Sequence, residues 1–321
     1  MASKLLFTLC PLLGALAPVC STSLPLDLTV FASMMNKDSL PGDIRSVTNE
    51  EKKNREQISF EETFRVMTFN IHSDVNDEPR VWDDRKQLVA STIRFHRADL
   101  IGLQEPSFKQ LTDLIQTLPE FKCFEGASLG ELHNPIFFRK SRFDLLDAGS
   151  FHLSSTPDLP GKGWDAKYPR AVSWAKLLDK KLRKEFFFFN THFDYHGRLA
   201  RDESARLLRL KVAEIAGPSS FIAAGDFNLF PALGGQETYQ ILTNQDSPPV
   251  FKDAQPASLF PHHGPTGTWS GFQEAGQPGI KPDCIFVSSK IEVYLHGILG
   301  DHFDGKFPSD HLPVVADLSL K

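Results

Sequence analysis

"FIAAGDFNLFP", residues 221–231, carries an apolar run into an acid and an amide. Phe221 to Ala224 reads as a buried strand, Gly225 interrupts it, and Asp226-Phe227-Asn228 follow before Pro231 closes the stretch. Side chains alternate faces along an extended chain, so Asp226 and Asn228 are expected on one side and Phe227 on the core side. That sets an anionic acceptor beside an uncharged amide at a strand end. Gly, Asp and Asn also build turns, so the stretch alone leaves turn chemistry as an alternative.

Working outward, the same form recurs. "VMTFN" ends at Asn70, "LIGLQE" at Glu105, and "FFFFNTHFD" delivers His192 and Asp194 two apart. Asp283 opens "DCIFV", and "PSDH" sets Asp310 and His311 before the last apolar run. Strand ends and the loops beyond them are where α/β proteins place their chemistry. Oxygen donors of this kind suit a hard cation such as Mg²⁺, with Mn²⁺ as a substitute, whereas zinc draws more on His and Cys. No phosphate-binding glycine loop, dinucleotide fingerprint, serine elbow or zinc spacing competes.

The chain as a whole supports a folded enzyme-sized domain. It has 321 residues, 41% hydrophobic, with 27 Phe, which excludes global disorder. Lys and Arg number 35 against 40 Asp and Glu, a formal charge of −5, so no global attraction to nucleic acid is expected. Residues 1–23 read as an export signal: Lys4 gives a positive start, and the apolar stretch Leu5 to Val19 is shorter than the roughly 20 residues a membrane span needs. A periplasmic or extracellular protein is therefore expected, with no transmembrane helix in the mature chain. Val19 before Cys20 argues against a lipid anchor. Residues 24–62 are polar and charged and read as a linker or arm. Residues 63–321 read as one mixed α/β domain, with helices expected from Asp83 or Asp84 as cap to about Arg97, over "FKQLTDLIQTL", and over "RDESARLLRLKVAEIA". Loss of the signal leaves Cys123 and Cys284, one disulfide or two free thiols. A monomer is expected.

The ordered set "MTFNI", "GLQE", "NTHFD", "GDFN" and "SDHLPV" resembles the endonuclease/exonuclease/phosphatase superfamily of metal-dependent phosphoesterases. The resemblance implies a four-layer α/β/β/α sandwich of two packed mixed sheets, with the site at one edge. It implies that Glu105 holds Mg²⁺, with Asp310 and Asn70 completing the shell. Asp226 would orient or deprotonate the attacking water, and Asn228 would fix that water or a phosphate oxygen. Asp283 would pair with His311, itself a base or a charge stabiliser, and His192 would donate from the other side of the phosphate or act as general acid. Arg170, in "KYPR", is a candidate phosphate ligand, and Asp194 either meets substrate or organises its loop. Glu131 is a candidate partner for His192, and Trp269 and Phe272 are candidates for the pocket rim. A lone His near an apolar strand is more often structural, so the two imidazoles draw their roles from the motifs around them.

The implied activity is hydrolysis of a phosphate mono- or diester, with a small organic phosphate favoured as partner. A secreted nuclease acting on DNA or RNA and a sphingomyelinase-like phosphodiesterase are the alternatives. An exported pseudoenzyme that only binds is the reading from another class, and the full set of acids and imidazoles weighs against it.

Overall fold

Four phenylalanines in a row, Phe186 to Phe189, cannot all face one core. In an extended strand they point alternately to two, and a strand buried on both faces needs a layer on each side. The computed structural model, which describes residues 62–74, 81–130, 132–273 and 276–321, has that arrangement. The expected signal and all of the arm but its last residue lie outside the described residues.

The elements in chain order are β1 (Phe64–Asn70), α1 (Trp82–Phe95), β2 (Leu100–Gln104), α2 (Phe108–Thr117), β3 (Phe121–Phe124), β4 (Ser128–Leu129), β5 (Leu132–His133), β6 (Ile136–Arg139), β7 (Phe143–His152), β8 (Ala171–Asp179), β9 (Lys184–His192), α3 (Arg198–Ala216), β10 (Phe221–Asp226), α4 (Gly235–Leu242), β11 (Lys252–Asp253), α5 (Ala254–Ala257), β12 (Asp283–Val287), β13 (Ile291–Ile298) and β14 (Val314–Leu320). One six-stranded sheet runs β13-β14-β1-β2-β6-β3 and the other β11-β12-β10-β9-β8-β7. Each has one parallel pair at its centre, β1 with β2 and β9 with β10, and antiparallel neighbours outside it. Both parallel pairs are joined through a helix, α1 in the first and α3 in the second, as a parallel crossover requires.

Three apolar layers hold the sandwich. Phe186, Phe188, Ile222 and Ala224 meet Val66 and Leu100 between the sheets. Phe187, Phe189 and Ala223 pack outward under Leu208 and Val212 of α3. Met67, Phe69, Ile101 and Leu103 pack outward under Val89 and Ile93 of α1 and Leu111 of α2. A fully buried side chain of this size contributes about 1.5–3 kcal/mol, so the alternating faces supply the main driving force for stacking. The expected α/β/β/α sandwich is the observed one.

Helix ends follow local chemistry. At α2, the Ser107 hydroxyl accepts from Gln110 N at 3.2 Å, and the Gln110 side-chain Oε1 accepts from Ser107 N at 2.9 Å. This reciprocal pair satisfies two otherwise orphaned donors. At α1 the expected acidic cap is absent: Val81 occupies the N-cap, and Asp83 and Asp84 lie in the first turn, where they face the positive end of the helix dipole. Cys123 and Cys284 are both free, in β3 and β12 of different sheets. Among the described residues no helix is long and apolar enough to cross a membrane.

Candidate active site

The carboxyl ends of the two parallel pairs meet at one edge. Asn70 ends β1, Glu105 follows β2, His192 ends β9 and Asp226 ends β10. Antiparallel neighbours feed in from the other direction. Asp283 starts β12 opposite Asp226, and Asp310 and His311 precede β14, which begins beside the end of β1. Gly225 is required where it stands, because a Cβ there would collide with the Thr191 carbonyl oxygen on the neighbouring strand. The extended run ends at Asp226, and Asn228 takes a left-handed φ of 51° that returns its side chain to the same cleft. Phe227 is buried under α3, on the core side as expected. Glu105 (φ 69°) and His72 (φ 57°) share that backbone region, which costs a non-glycine residue about 1–2 kcal/mol and clusters at functional sites.

Asp226 Oδ2 is the point on which donors converge. Asn70 Nδ2 lies 3.0 Å away, His192 Nε2 3.3 Å and His311 Nε2 3.8 Å. The other carboxylate oxygen accepts from Asn228 N at 2.9 Å, while Asn228 Nδ2 donates to the Phe193 carbonyl at 2.9 Å. Burial and the neighbouring Asp283 charge push the Asp226 carboxyl up to about 6, against the opposing pull of His311 and Asn70. On the far side of His311, Asp283 Oδ2 accepts from Nδ1 at 2.7 Å and from Thr268 Oγ1 at 2.6 Å. Burial favours a neutral His311, but the Asp283 and Asp226 charges outweigh it and hold the imidazole well above its ordinary range. His311 is thus a buried imidazolium with Trp269 packed edge-on at 5.0 Å.

His192 has the opposite character. Arg170 Nη1 lies 2.9 Å from its Nδ1. A guanidinium only donates, so Nδ1 accepts and the proton of the neutral ring sits on Nε2, facing Asp226. Burial, then Arg170 and His311, hold this imidazole well below its ordinary range. Two histidines on one carboxylate therefore carry different charges, a separation that distinct environments create.

Glu105 and Asp310 face the same cleft, of about 300 Å³. Glu105 accepts from Asn70 Nδ2 and Ser73 N, both at 3.2 Å, and Asp310 Oδ2 lies 3.1 Å from His72 Nδ1. Burial raises the Asp310 carboxyl, but its bond to His72 and the His311 charge prevail and lower it. Ser309 Oγ joins the two sides, donating to the Asn70 carbonyl at 2.7 Å. Asp226, Asp283 and His311 also bring one ligand-type atom each within 4.8 Å of one another. The site has hard oxygen donors with which to hold a metal ion.

Of the residues expected in the site, Asn70, Glu105, His192, Asp226, Asn228, Asp310 and His311 come together around the cleft, with Asp283 directly behind His311. Arg170 stands behind His192. Asp194 is buried and ties its loop, accepting from His196 N at 3.0 Å, Gly197 N at 2.7 Å and Tyr168 N at 3.2 Å. Trp269 lines the cleft, whereas Phe272 packs edge-on against His72 at 5.1 Å, with Arg85 5.5 Å from its ring. Glu131 lies outside the described residues. His72, Thr268 and Ser309 were not singled out from the sequence; only His72, two residues beyond Asn70, carried a usable spacing signal.

Two sheets stacked through mixed strands, with carboxylates, amides and imidazoles at their shared edge, define a hydrolase of phosphate ester bonds. The chain belongs to the Endonuclease/Exonuclease/phosphatase family, whose profile matches residues 67–311. A family protein of Bacteroides vulgatus is 34% identical, with 81% of this chain and 99% of that one aligned at a TM-score of 0.72. A mannosyl-6-phosphatase of Bacteroides thetaiotaomicron is 31% identical over 80% of this chain and all of its own, also at 0.72. An uncharacterised protein of Acanthamoeba polyphaga mimivirus is 28% identical over 163 residues, 46% of this chain, and the match spans 59% of that relative's length.

Proposed function

We propose that this protein is an exported, Mg²⁺-dependent phosphoesterase whose favoured substrate is a small organic phosphate ester. The observation that carries the reading is the convergence of three donors on Asp226 Oδ2 beside the Glu105 and Asp310 carboxylates. Glu105 and Asp310 would hold the cation, with Asn70 at its edge. Among the described residues neither carboxylate has a Lys or Arg partner, and their nearest basic groups are the imidazoles of His192 and His72. Asp283, by contrast, is already committed to His311 and Thr268. The bound ion, Mg²⁺ or Mn²⁺, would neutralise charge on the phosphoryl and leaving oxygens, worth several kcal/mol.

Asp226, with its carboxyl near 6, takes the proton of the attacking water as the new O–P bond forms and the ester P–O bond breaks. The imidazolium of His311 and the Nε2–H of His192 stabilise charge on the phosphoryl oxygens. Asn228 holds Asp226 through its backbone N–H and turns its free amide hydrogen to the phosphate. The leaving oxygen takes up a proton from solvent and Asp226 later releases its own, so the products are inorganic phosphate, or a monoester from a diester, and the free alcohol.

Two features support a small substrate. The cleft of about 300 Å³ is rimmed by Trp269, Phe230 and Leu233, and a relative 31% identical is a mannosyl-6-phosphatase. The deciding assay is phosphate release from hexose phosphates beside nicking of supercoiled plasmid, each with Mg²⁺, with EDTA and with His311→Ala. Phosphate release lost in both controls supports the reading; Mg²⁺-dependent nicking without phosphate release replaces it with a nuclease.

A further inference from the structure

A second hollow, of about 170 Å³, opens off the catalytic cleft and shares Glu105, His192 and Tyr195 with it. Its outer wall is Tyr168, Pro169 and Arg170, from the loop between β7 and β8. Tyr168 and Tyr195 are 47% and 38% exposed, two large rings left at the mouth of a hollow beside reacting atoms. Aromatic side chains in such a place are what small-molecule sites use for contact area.

The rings are held in position. Asp194 accepts from Tyr168 N on one loop and from His196 N and Gly197 N on the other. Arg201, fully buried, donates to the carbonyls of Asp194 at 3.1 Å and Tyr195 at 2.9 Å. Lys167 Nζ donates to Tyr195 Oη at 2.8 Å and sits 5.4 Å from both ring centroids. A surface fixed before its ligand arrives loses little entropy on binding. Arg170 adds a separate sign. It is 7% exposed and lines the hollow, with Nη1 on His192 and Nε held 3.8 Å from Asp194 Oδ2, so its guanidinium is fixed in place.

The geometry points to this hollow as the subsite for the alcohol half of the substrate, and to that half as a sugar ring. The assignment rests on the phosphoesterase reading and deepens it. With the phosphate at Glu105 and His192, a hexose joined to it reaches directly into the hollow. The C–H face of a pyranose carries slight positive charge and meets the negative face of a tyrosine ring. Its hydroxyls need donors and acceptors, which Arg170, Asn134 and the tyrosine hydroxyls supply. The two rings are tilted by 34° with centroids 6.2 Å apart, already too close to each other for a flat nucleobase to slide between them.

The test is kcat/KM for a hexose 6-phosphate and for methyl phosphate, on the whole protein with Mg²⁺, for wild type, Tyr168→Ala and Tyr168→Phe. Wild type is expected to prefer the sugar ester. Tyr168→Ala should reduce that preference by about tenfold, the size of one lost ring contact, chiefly through KM. Tyr168→Phe, which keeps the ring, should retain most of it. An equal loss on both esters in Tyr168→Ala, or a wild type indifferent to the sugar, overturns the subsite while leaving the phosphoesterase standing. Turnover of neither ester removes the small-phosphate reading and the subsite with it, and methyl phosphate tells the two failures apart.

Discussion

Arg170 decides which ring nitrogen of His192 carries the proton. Its guanidinium faces Nδ1 at 2.9 Å, cannot accept, and so leaves Nε2–H pointing at Asp226. Arg170→Met should therefore release the tautomer and the charge of His192 together. On methyl phosphate, which does not reach the sugar hollow, the expected result is a kcat lower by about 10–100-fold with KM little changed, the scale of one charged hydrogen bond worth about 1.5–3 kcal/mol. ¹⁵N shifts of the His192 ring check the premise, and a wild-type ring protonated on Nδ1 would refute it. The sequence brought Arg170 forward as a phosphate ligand; its place behind His192 depends on a contact across 22 residues that no spacing rule reports. Thr268 was equally invisible, because its role consists of a 2.6 Å bond to Asp283, 15 residues away. Asp226, Asn228 and Glu105 were legible because each stands at the end of an apolar run, and Asp310 and His311 because they stand just before one, where the sequence itself marks the change between core and site.

At the scale of elements, Asn190 links one sheet to the other just below the site. It is fully buried in β9, yet its Nδ2 donates to the carbonyls of Leu103 and Pro135, both at 2.8 Å, and its Oδ1 accepts from Gln104 Nε2 at 2.7 Å. Gly102 makes room for it: a Cβ there would stand 2.6 Å from Asn190 Oδ1. Asn190→Leu keeps the volume but removes three buried hydrogen bonds, each worth about 0.5–1.5 kcal/mol, while Gln104 Nε2 keeps Thr68 Oγ1 and the Gly102 carbonyl and the Pro135 carbonyl keeps Leu103 N. Destabilisation of about 2–4 kcal/mol in urea unfolding is expected, and a loss below 1 kcal/mol would mean that the sheets do not depend on this clasp. The same two-sided burial explains which elements could be read beforehand. β1, β2, β6, β8, β9, β10, β12 and β14 were all expected, β6 from "PIFFRK" and β8 from "AVSWAKLL", since they lie inside the sheets and read as apolar or aromatic runs. β3, β7 and β13 were not, and each is an edge strand. β7 alternates little, with its middle residues exposed, so its pairing with β8 is a tertiary fact written mainly in the partner strand.

For the molecule as a whole, stability against acid follows from imidazoles buried in neutral form. His296 in β13 is 2% exposed, and burial, then Lys281 and His262, push it down to about 2. An unfolded chain protonates this histidine below about pH 6.5 while the native chain does not, so the unfolded state binds the extra proton and stability falls as pH falls. His192, also held well below its ordinary range, acts in the same direction. Asp226 and His311, both raised, act oppositely: Asp226 gives the native state a proton between about pH 6 and the ordinary carboxylate range, and His311 adds stability that fades as pH rises through its native value. Comparing wild type with His296→Phe cancels these other groups. The His296 Nε2 has no hydrogen-bond partner among the described residues, so a carbon there forfeits no bond at that position. Between pH 6.5 and 4.5 the variant should lose about 2 kcal/mol less stability than wild type, the integral of one proton over that window. Metal-free protein melted across this range measures it. Parallel stability curves would show that His296 takes up its proton without unfolding, through the His262 contact at 2.9 Å, and would move the acid sensitivity of the fold to the catalytic edge.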